Sequence, residues 1–198
     1  MEQPISKPGR PRSFDPDHAL HEALMTFWRY GYEGASLSRL QAAMGLTAPA
    51  LYRAFGSKDE LFKQAVAQYQ RQYGFGIQEG VPIRDAIGAY LRTAAQEFAA
   101  EPGLGCLVST GVLASGPDAQ VSAAVVRAER EKALEDIRAR FQTGVRSGEL
   151  PGLTDVDGLS RAIAAVIQGM SVQARDGATE RDLNRLGDAA LRMLPDCR

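Results

Sequence analysis

Apolar residues recur every three or four positions along most of this 198-residue chain, a spacing that places them on one face of an α-helix. The first such segment opens at Asp15 and Pro16, as a cap and a first-turn proline, and ends at Gly31. No segment alternates polar and apolar residues with the β-branched enrichment that a strand needs. The pattern therefore predicts an all-α protein of roughly nine helices.

The next stretch predicts two short helices joined by a tight turn. Ser36 is a good N-cap for the first of them, and Gly45 can adopt the left-handed conformation that ends it. Thr47 caps the second helix, Pro49 lies in its first turn, and Gly56 ends it. This layout is that of a helix-turn-helix, whose second helix enters the major groove of DNA.

A longer helix follows, opened by Ser57 and Glu60 as a capping box and ending near Gly74. Beyond it, glycine and proline residues separate further helical segments, as stop signals do. The expected spans of these later helices are 83–101, 105–115, 118–147, 155–176 and 180–194. The glycine-rich break around residue 75 is the expected domain boundary.

The net charge of −1 is unevenly distributed along the chain. Residues 1–75 hold nine Lys and Arg against seven Asp and Glu, whereas residues 76–198 hold fourteen against seventeen. Lys7, Arg10 and Arg12 lie close together in the first part, and a basic arm on a near-neutral head suits local contact with phosphates. Arg10 and Arg12 can enter an adjacent minor groove, or the arm can act as a solubilising tail.

The composition excludes several classes of protein. Hydrophobic residues make up 44% of the chain, and no apolar run approaches the ~20 residues of a membrane helix. The N-terminus lacks the apolar segment of a signal peptide, so we expect a cytoplasmic protein. Cys106 and Cys197 are too few for a disulfide framework. His18 and His21 have no further Cys or His nearby, so we expect no metal site and no cofactor.

Residues 14–62 resemble the TetR family of bacterial transcriptional regulators. The helix-turn-helix carries the resemblance together with Tyr30-Gly31-Tyr32, Gly45-Leu46-Thr47 and the run L-Y-x-x-F-G-S-K-x-x-L that ends at Leu61. Ala54 departs from the family pattern, which often has His or Tyr there, and this removes one possible DNA-backbone contact. The resemblance implies a flexible basic arm, a DNA-binding domain with its connecting helix, and an effector-binding and dimerisation domain, at 1–13, 14–74 and 75–198.

Four residues at the start of the second short helix are candidates for contacts in the DNA groove: Thr47, Ala48, Ala50 and Arg53. The guanidinium of Arg53 matches the O6 and N7 edge of guanine, but it can instead bind a phosphate or pair with Asp59 or Glu60. Thr47 is also a helix cap, and the two alanines either contact thymine methyl groups or simply favour the helix.

Other candidates contact the DNA backbone. Tyr52 and Lys58 resemble the family's backbone-bonding tyrosine and phosphate-contacting lysine. Lys58 also begins a helix, whose free N–H groups can bind the same phosphate. Ser36 and Arg39 start the preceding helix and can reach the backbone as well.

The resemblance implies that the C-terminal helices bind a small effector and form a dimer. The candidate effector-binding residues are Tyr90, Phe98, Cys106, Phe141 and Met170, with Val112 a further lining group. Plain core is the favoured explanation for each of them, because apolar residues at helical spacing need no ligand. A dimer is expected on geometry, since two-fold symmetry places two reading heads about 34 Å apart on one face of DNA.

The last two predicted helices are the expected dimer elements, paired with their symmetry mates in a four-helix bundle. Their candidate interface residues are Leu159, Ile163, Val166, Ile167, Met170, Leu183, Leu186, Ala190 and Leu194. The alternative is that both apolar faces pack inside one protomer.

Cys106 follows a glycine-rich turn and is expected in the first turn of a short helix, where the helix dipole lowers a thiol pKa. One hypothesis is a sensor of electrophiles or oxidants, and the other is a buried small apolar residue.

Together these patterns predict a ligand-responsive transcriptional repressor that binds a palindromic operator as a homodimer. An enzyme is a rival, but a di-metal helical bundle needs Glu-x-x-His pairs, and the chain has none. A second rival is a helical dimer that binds small molecules without specific DNA binding.

Overall fold

A computed structural model describes residues 14–112, 116 and 119–195. Within these residues the chain forms nine α-helices and no strand, so the all-α prediction is confirmed. The helices are α1 (Pro16–Gly34), α2 (Leu37–Met44), α3 (Ala48–Phe55), α4 (Lys58–Tyr73), α5 (Ile83–Ala100), α6 (Leu107–Thr110), α7 (Gln120–Arg146), α8 (Val156–Arg175) and α9 (Glu180–Leu191). The expectations about the basic arm and Cys197 lie outside the described residues.

Helix α1 forms the centre of the N-terminal head and is broken where the sequence predicts. The side chain of Asp15 accepts a hydrogen bond from the Asp17 amide and caps the helix. Gly31 leaves the helical conformation with a φ of +70°, and a last turn then reaches Gly34. A side chain at Gly31 would also meet the Gly111 carbonyl oxygen at 3.1 Å, so glycine is needed there for two reasons.

The caps of the short helices are only partly as expected. Ser36 accepts from the Arg39 amide and caps α2, and Gly45 ends α2 in the left-handed conformation. Thr47 is the N-cap of α3 by position, but its side chain makes no capping hydrogen bond. Ser57 caps α4 by accepting from the Glu60 amide. The reciprocal half of the predicted capping box is absent, and the Glu60 carboxylate pairs with Lys63 instead.

Helices α5 to α9 form the C-terminal domain, with α5 against α8 and α9, and α7 against α8 and α4. Four of the five predicted spans agree with the structure within a few residues. Within the described part of the expected helix at 105–115, which ends at residue 112, the only helix is the single turn of α6. At the start of α5 the Glu149 carboxylate accepts from the Ile83 amide at 2.5 Å and so supplies the cap that Pro82 cannot. None of the helices in the described part of the chain is both long and apolar enough to cross a membrane.

The head packs directly on the C-terminal domain through Trp28. Its side chain is 1% exposed, its indole N–H donates to the Gly105 carbonyl at 3.1 Å, and its ring meets Tyr69 and Tyr73 edge-on. Arg175, in the last turn of α8, donates to the Trp28 carbonyl at 3.3 Å. The end of α1 is thus tied to segments far away in sequence, and head and domain share one continuous core.

Candidate DNA-binding surface and internal cavity

Helix α3 buries one face and exposes the other. Leu51 and Phe55 lie in the core of the head, which fixes how α3 is rotated. The opposite face carries Pro49, Tyr52 and Arg53, all exposed, and the Tyr52 side chain keeps 46% of its surface accessible. A short helix with an outward polar and aromatic face is the geometry that enters a major groove.

Two candidate groove-contacting side chains on this face are unengaged. Among the described residues, Arg53 has no hydrogen-bond or ion-pair partner, so the alternative pairing with Asp59 or Glu60 is not formed. Thr47, which makes no capping bond, is exposed at the N-terminal end of the same helix. Both are free to bind a ligand outside the protein.

The two candidate alanines are less accessible than their neighbours. Ala48 and Ala50 are half-buried, and Ala50 packs against the core of the head. They leave the outer surface of α3 to Tyr52 and Arg53. A role for either alanine in contacting DNA stays a prediction.

Lys58 lies at the first position of α4, and its ammonium is held over the ring of Tyr32, 4.3 Å from the centroid. Burial lowers the pKa of Lys58, while the nearby carboxylates of Asp59 and Glu33 act in the opposite direction. The Tyr32 hydroxyl in turn donates to Asp59 at 2.7 Å. The cation is therefore anchored at a helix N-terminus, where free N–H groups favour a phosphate.

Arg39, in the first turn of α2, is anchored in a similar way. Its guanidinium donates to the Gly34 carbonyl at 2.7 Å and lies over the ring of Tyr30, 4.7 Å from the centroid. The Ser36 hydroxyl caps α2 and lies 3.0 Å from that of Ser38. Sequence analysis did not assign Tyr30 a role, although its ring is 47% exposed. Its place in the aromatic-glycine-aromatic motif was the available signal.

A cavity of about 90 Å³ lies where α4 packs on the C-terminal domain, between α4, α5, α7 and α8. Tyr90, Phe98 and Cys106 line it, so three of the candidate effector residues are brought together. Phe141 and Met170 do not line this cavity, and both side chains are packed in the core elsewhere. Val112 lies in a separate surface depression beside the end of α1.

The cavity wall also contains residues that sequence analysis missed. Helix α4 contributes Tyr69, Gln70 and Tyr73, and α7 contributes Glu129 and Arg130. Because α7 is rich in charged residues, its sequence predicts that Glu129 and Arg130 are ordinary solvent-exposed residues. The sequence therefore gave no indication that they line a cavity. These contributions matter because α4 also carries Lys58 at its other end.

Polar groups in the wall are already hydrogen-bonded. The Gln70 amide donates to the Glu129 carboxylate at 2.8 Å, and the Arg130 guanidinium donates to the Val108 carbonyl at 2.7 Å. Burial raises the pKa of Tyr90 to about 12, with smaller effects of Cys106 and Asp136 in the same direction. Burial, and then the neighbouring Cys106, likewise raise the pKa of Tyr69. Both phenols are neutral hydrogen-bonding groups at physiological pH.

Cys106 is the N-cap residue of α6 and is 9% exposed. Its backbone amide donates to the Ser171 hydroxyl at 2.8 Å, and its side chain lies in the cavity wall. Because α6 is a single turn, its dipole is a weaker argument for a reactive thiol than the sequence suggested. No group of metal-ligating side chains gathers around it or elsewhere in the described ranges.

The proposed dimer residues divide into two groups. The side chains of the first group are buried within the protomer, which excludes them from the surface: Ile163, Met170, Leu183, Ala190 and Leu194. Ile167 is half-buried and lines the cavity. The remaining three, Leu159, Val166 and Leu186, are half-buried and reach the outside. Helical periodicity identified the apolar face of each helix but not which part of it packs inside.

The exposed face of α3, in a helix-turn-helix that also carries the anchored cation Arg39 and is followed by Lys58, defines a DNA-binding regulator. Residues 19–65 match the family model described as bacterial regulatory proteins, tetR family. The chain belongs to the TetR family and is a DNA-binding transcriptional regulator.

Similar proteins extend this relationship over nearly the whole chain. The HTH-type transcriptional repressor ComR of Escherichia coli (strain K12) is 31% identical over 197 residues, covering 95% of this chain and 92% of ComR. The HTH-type transcriptional repressor BdcR of the same organism is 27% identical, covering 86% and 84%. Among solved structures, a cysteine mutant of the TetR family regulator CifR with 26-base-pair operator DNA has a TM-score of 0.88 at 38% identity, covering 94% of this chain and all of CifR.

Proposed function

We propose that this protein is a repressor that binds a palindromic operator as a homodimer and is released by a small molecule in the cavity. It acts in the cytoplasm, by binding and not by catalysis. The observation that carries the proposal is the exposed face of α3, where Arg53 is unpartnered among the described residues. The cations of Lys58 and Arg39, on the neighbouring helices α4 and α2, are each held over a tyrosine ring. Free donors beside fixed cations suit base reading and phosphate contact respectively.

The residues divide into those that position the protein and those that read sequence. Four residues contact the DNA backbone and fix the register of the head on the duplex: Lys58, Tyr52, Arg39 and Ser36. Arg53 donates to a guanine edge, and Thr47 lies close enough to the groove to join it. ComR and BdcR are named as repressors, and the CifR mutant is described with operator DNA, which supports the same role here.

A dimer follows from the small reach of α3, since one short helix contacts only a few base pairs. The surface available for it is the outer side of α8, which we call the α8 stripe: Leu159, Ala162, Val166, Gly169 and Val172. Its small residues allow a second helix to approach closely. The exposed Leu153 and Met193 extend this apolar surface at one end of the stripe. Two copies joined here would form the four-helix bundle expected for α8 and α9.

Release depends on α4, which has Lys58 at one end and the cavity residues Tyr69, Gln70 and Tyr73 near the other. An effector that enters the cavity shifts α4 and changes the separation of the two heads, so that only one half-site can dock. The coupling is reciprocal, and operator DNA weakens effector binding by the same factor.

Selection of bound sequences from a random duplex library, repeated at two salt concentrations, tests the proposal. We expect a palindromic motif whose half-sites lie about one helical turn apart. Binding that is sensitive to salt but enriches no motif would contradict specific regulation. That outcome would favour the rival function, a helical dimer that binds small molecules only.

A further inference from the structure

Helices α4 and α7 both contribute to the cavity wall, and they are also hydrogen-bonded to each other beside the head. At the cavity, the Gln70 amide donates to the Glu129 carboxylate at 2.8 Å, a bond that we call the cavity clasp. At the head, the Ser122 hydroxyl of α7 donates to the Asp59 carboxylate of α4 at 2.7 Å. The two bonds lie about 16 Å apart along α4, by the rise of an α-helix. The two helices are therefore tied to each other at two separate points.

The bond at the head is part of a larger arrangement. One oxygen of Asp59 accepts from both the Ser122 and the Tyr32 hydroxyls, each at 2.7 Å, and we call this three-residue group the head clasp. Ser122 is 1% exposed, so its hydroxyl cannot turn to water as an alternative partner without the helices moving. The Tyr32 ring in turn supports the Lys58 ammonium. A shift of α7 relative to α4 therefore changes the position of the candidate phosphate contact.

The two clasps differ in how easily a ligand can reach them. Gln70 and Glu129 are half-buried residues in a wall that is otherwise largely apolar, and a ligand with a donor or acceptor group competes directly for either one. The head clasp does not line the cavity. Only movement of the helices can transmit a change from one clasp to the other.

We propose that Asp59 is a positioning residue for the DNA-binding surface, and that the two clasps form one coupled unit through which cavity occupancy changes operator affinity. This proposal rests on the proposed function and names the contacts by which its site is regulated. Loss of the cavity clasp frees α4 to slide against α7, the head clasp loosens, and Tyr32 and Lys58 leave the orientation that suits a phosphate.

Hydrogen exchange on the full-length protein, without DNA or effector, tests the coupling. The amides of Tyr32 and Leu61, which donate to the Gly111 and Ser57 carbonyls, report on the head end. We expect Gln70→Ala to speed their exchange at least threefold, and Ser122→Ala to do the same. Gln64→Ala is the matched control, because Gln64 is exposed on the same helix, and it should leave these amides unchanged. Faster exchange confined to the cavity end in Gln70→Ala would overturn the proposal.

Operator affinity supplies the second readout, measured with the duplex selected above. Gln70→Ala and Ser122→Ala should each weaken binding about three- to tenfold, and the double variant should be no weaker than the worse single one. Glu129→Gln keeps an oxygen acceptor and should bind within twofold of wild type, whereas Glu129→Leu should match Gln70→Ala. Independent, multiplying effects would overturn the coupling. Failure of the wild-type protein to bind any specific duplex would instead overturn the proposed function, and the exchange experiment would still decide whether the clasps are coupled.

Discussion

The head and the C-terminal domain use their polar side chains in different ways. In the head, Arg39 is fixed by Gly34 and Tyr30, a few residues away, and it remains on the surface. In the C-terminal domain, polar groups pair across long stretches of chain, as Arg84 does with the Leu191 carbonyl and Glu129 with Gln70 of α4. A ligand outside the head meets donors that are already in place. A ligand inside the domain must compete with existing bonds, which is how its binding can change the structure.

The largest expected effect is on the free energy of unfolding, and it comes from comparing a buried aromatic residue with an exposed one. Trp28→Ala removes a fully buried ring and its hydrogen bond to Gly105, and should lower the free energy of unfolding by about 3–5 kcal/mol. Tyr30→Ala removes an exposed ring of the head and should cost less than about 1 kcal/mol. Urea unfolding of both variants measures the difference. Similar losses in the two would show that head and domain do not share a core.

A matched pair of valines tests whether the α8 stripe is the dimer surface. Val172 on α8 and Val121 on α7 are 42% and 47% exposed, so either tolerates a charge in the isolated protomer. Val172→Asp places an unpaired charge in the interface and should raise the dimer dissociation constant about a hundredfold, roughly 2.7 kcal/mol. Val121→Asp should leave it unchanged. Sedimentation of the two variants across a concentration series decides this, and a dimeric Val172→Asp would place the interface elsewhere.

The buried phenol of Tyr90 should make stability fall at high pH. Because burial raises its pKa to about 12 in the folded protein, from an ordinary value of about 10, the unfolded chain ionises first as pH rises. The stabilisation is complete below pH 10 and is lost between pH 10 and about 12, at up to about 1.4 kcal/mol per pH unit. Unfolding free energies measured at pH 9 to 11.5 should fall less steeply in Tyr90→Phe. Equal slopes would mean that the hydroxyl is solvated.

The smallest expected effect separates base reading from phosphate contact within the head itself. Arg53→Ala should cost about 1.4 kcal/mol on the selected operator and relax the preference at one base pair of each half-site. Lys58→Ala should weaken binding to all sequences alike. It should also reduce the slope of log affinity against log salt concentration by about one. Binding to operators substituted at single positions measures both. Uniform weakening in Arg53→Ala would assign that residue to the phosphates.

The head was more predictable from sequence than the domain, because its signals are local. The Ser36 hydroxyl bonds an amide three residues away, and Gly31 and Gly45 interrupt or end their helices through their own backbone conformation, as predicted. Thr47 and Glu60 failed at the level of side-chain bonds, since a cap position does not fix where a hydroxyl or carboxylate points. In the domain, periodicity identified apolar faces, but whether Ile163 faces the core or a partner depends on how whole helices pack.

The cavity also shows what could and could not be predicted from the sequence. Tyr90, Phe98 and Cys106 were candidates because they are apolar or polarisable residues on the expected helices, and they do meet at one cavity. Gln70 and Glu129 were missed, since nothing in the sequence relates two polar residues 59 positions apart. Contacts of that kind exist only once α4 and α7 are packed together.

The most direct test of the account is the operator affinity of the double variant Tyr52→Ala and Lys58→Glu, measured by fluorescence anisotropy with the selected duplex. Lys132→Glu, an exposed cation on α7 far along the chain from the head, supplies the same change of charge as a control. We expect the double variant to lose at least about a hundredfold in affinity, roughly 2.7 kcal/mol, while the control changes little. Unchanged affinity in the double variant, with the fold intact by circular dichroism, would contradict the assignment of this surface to DNA.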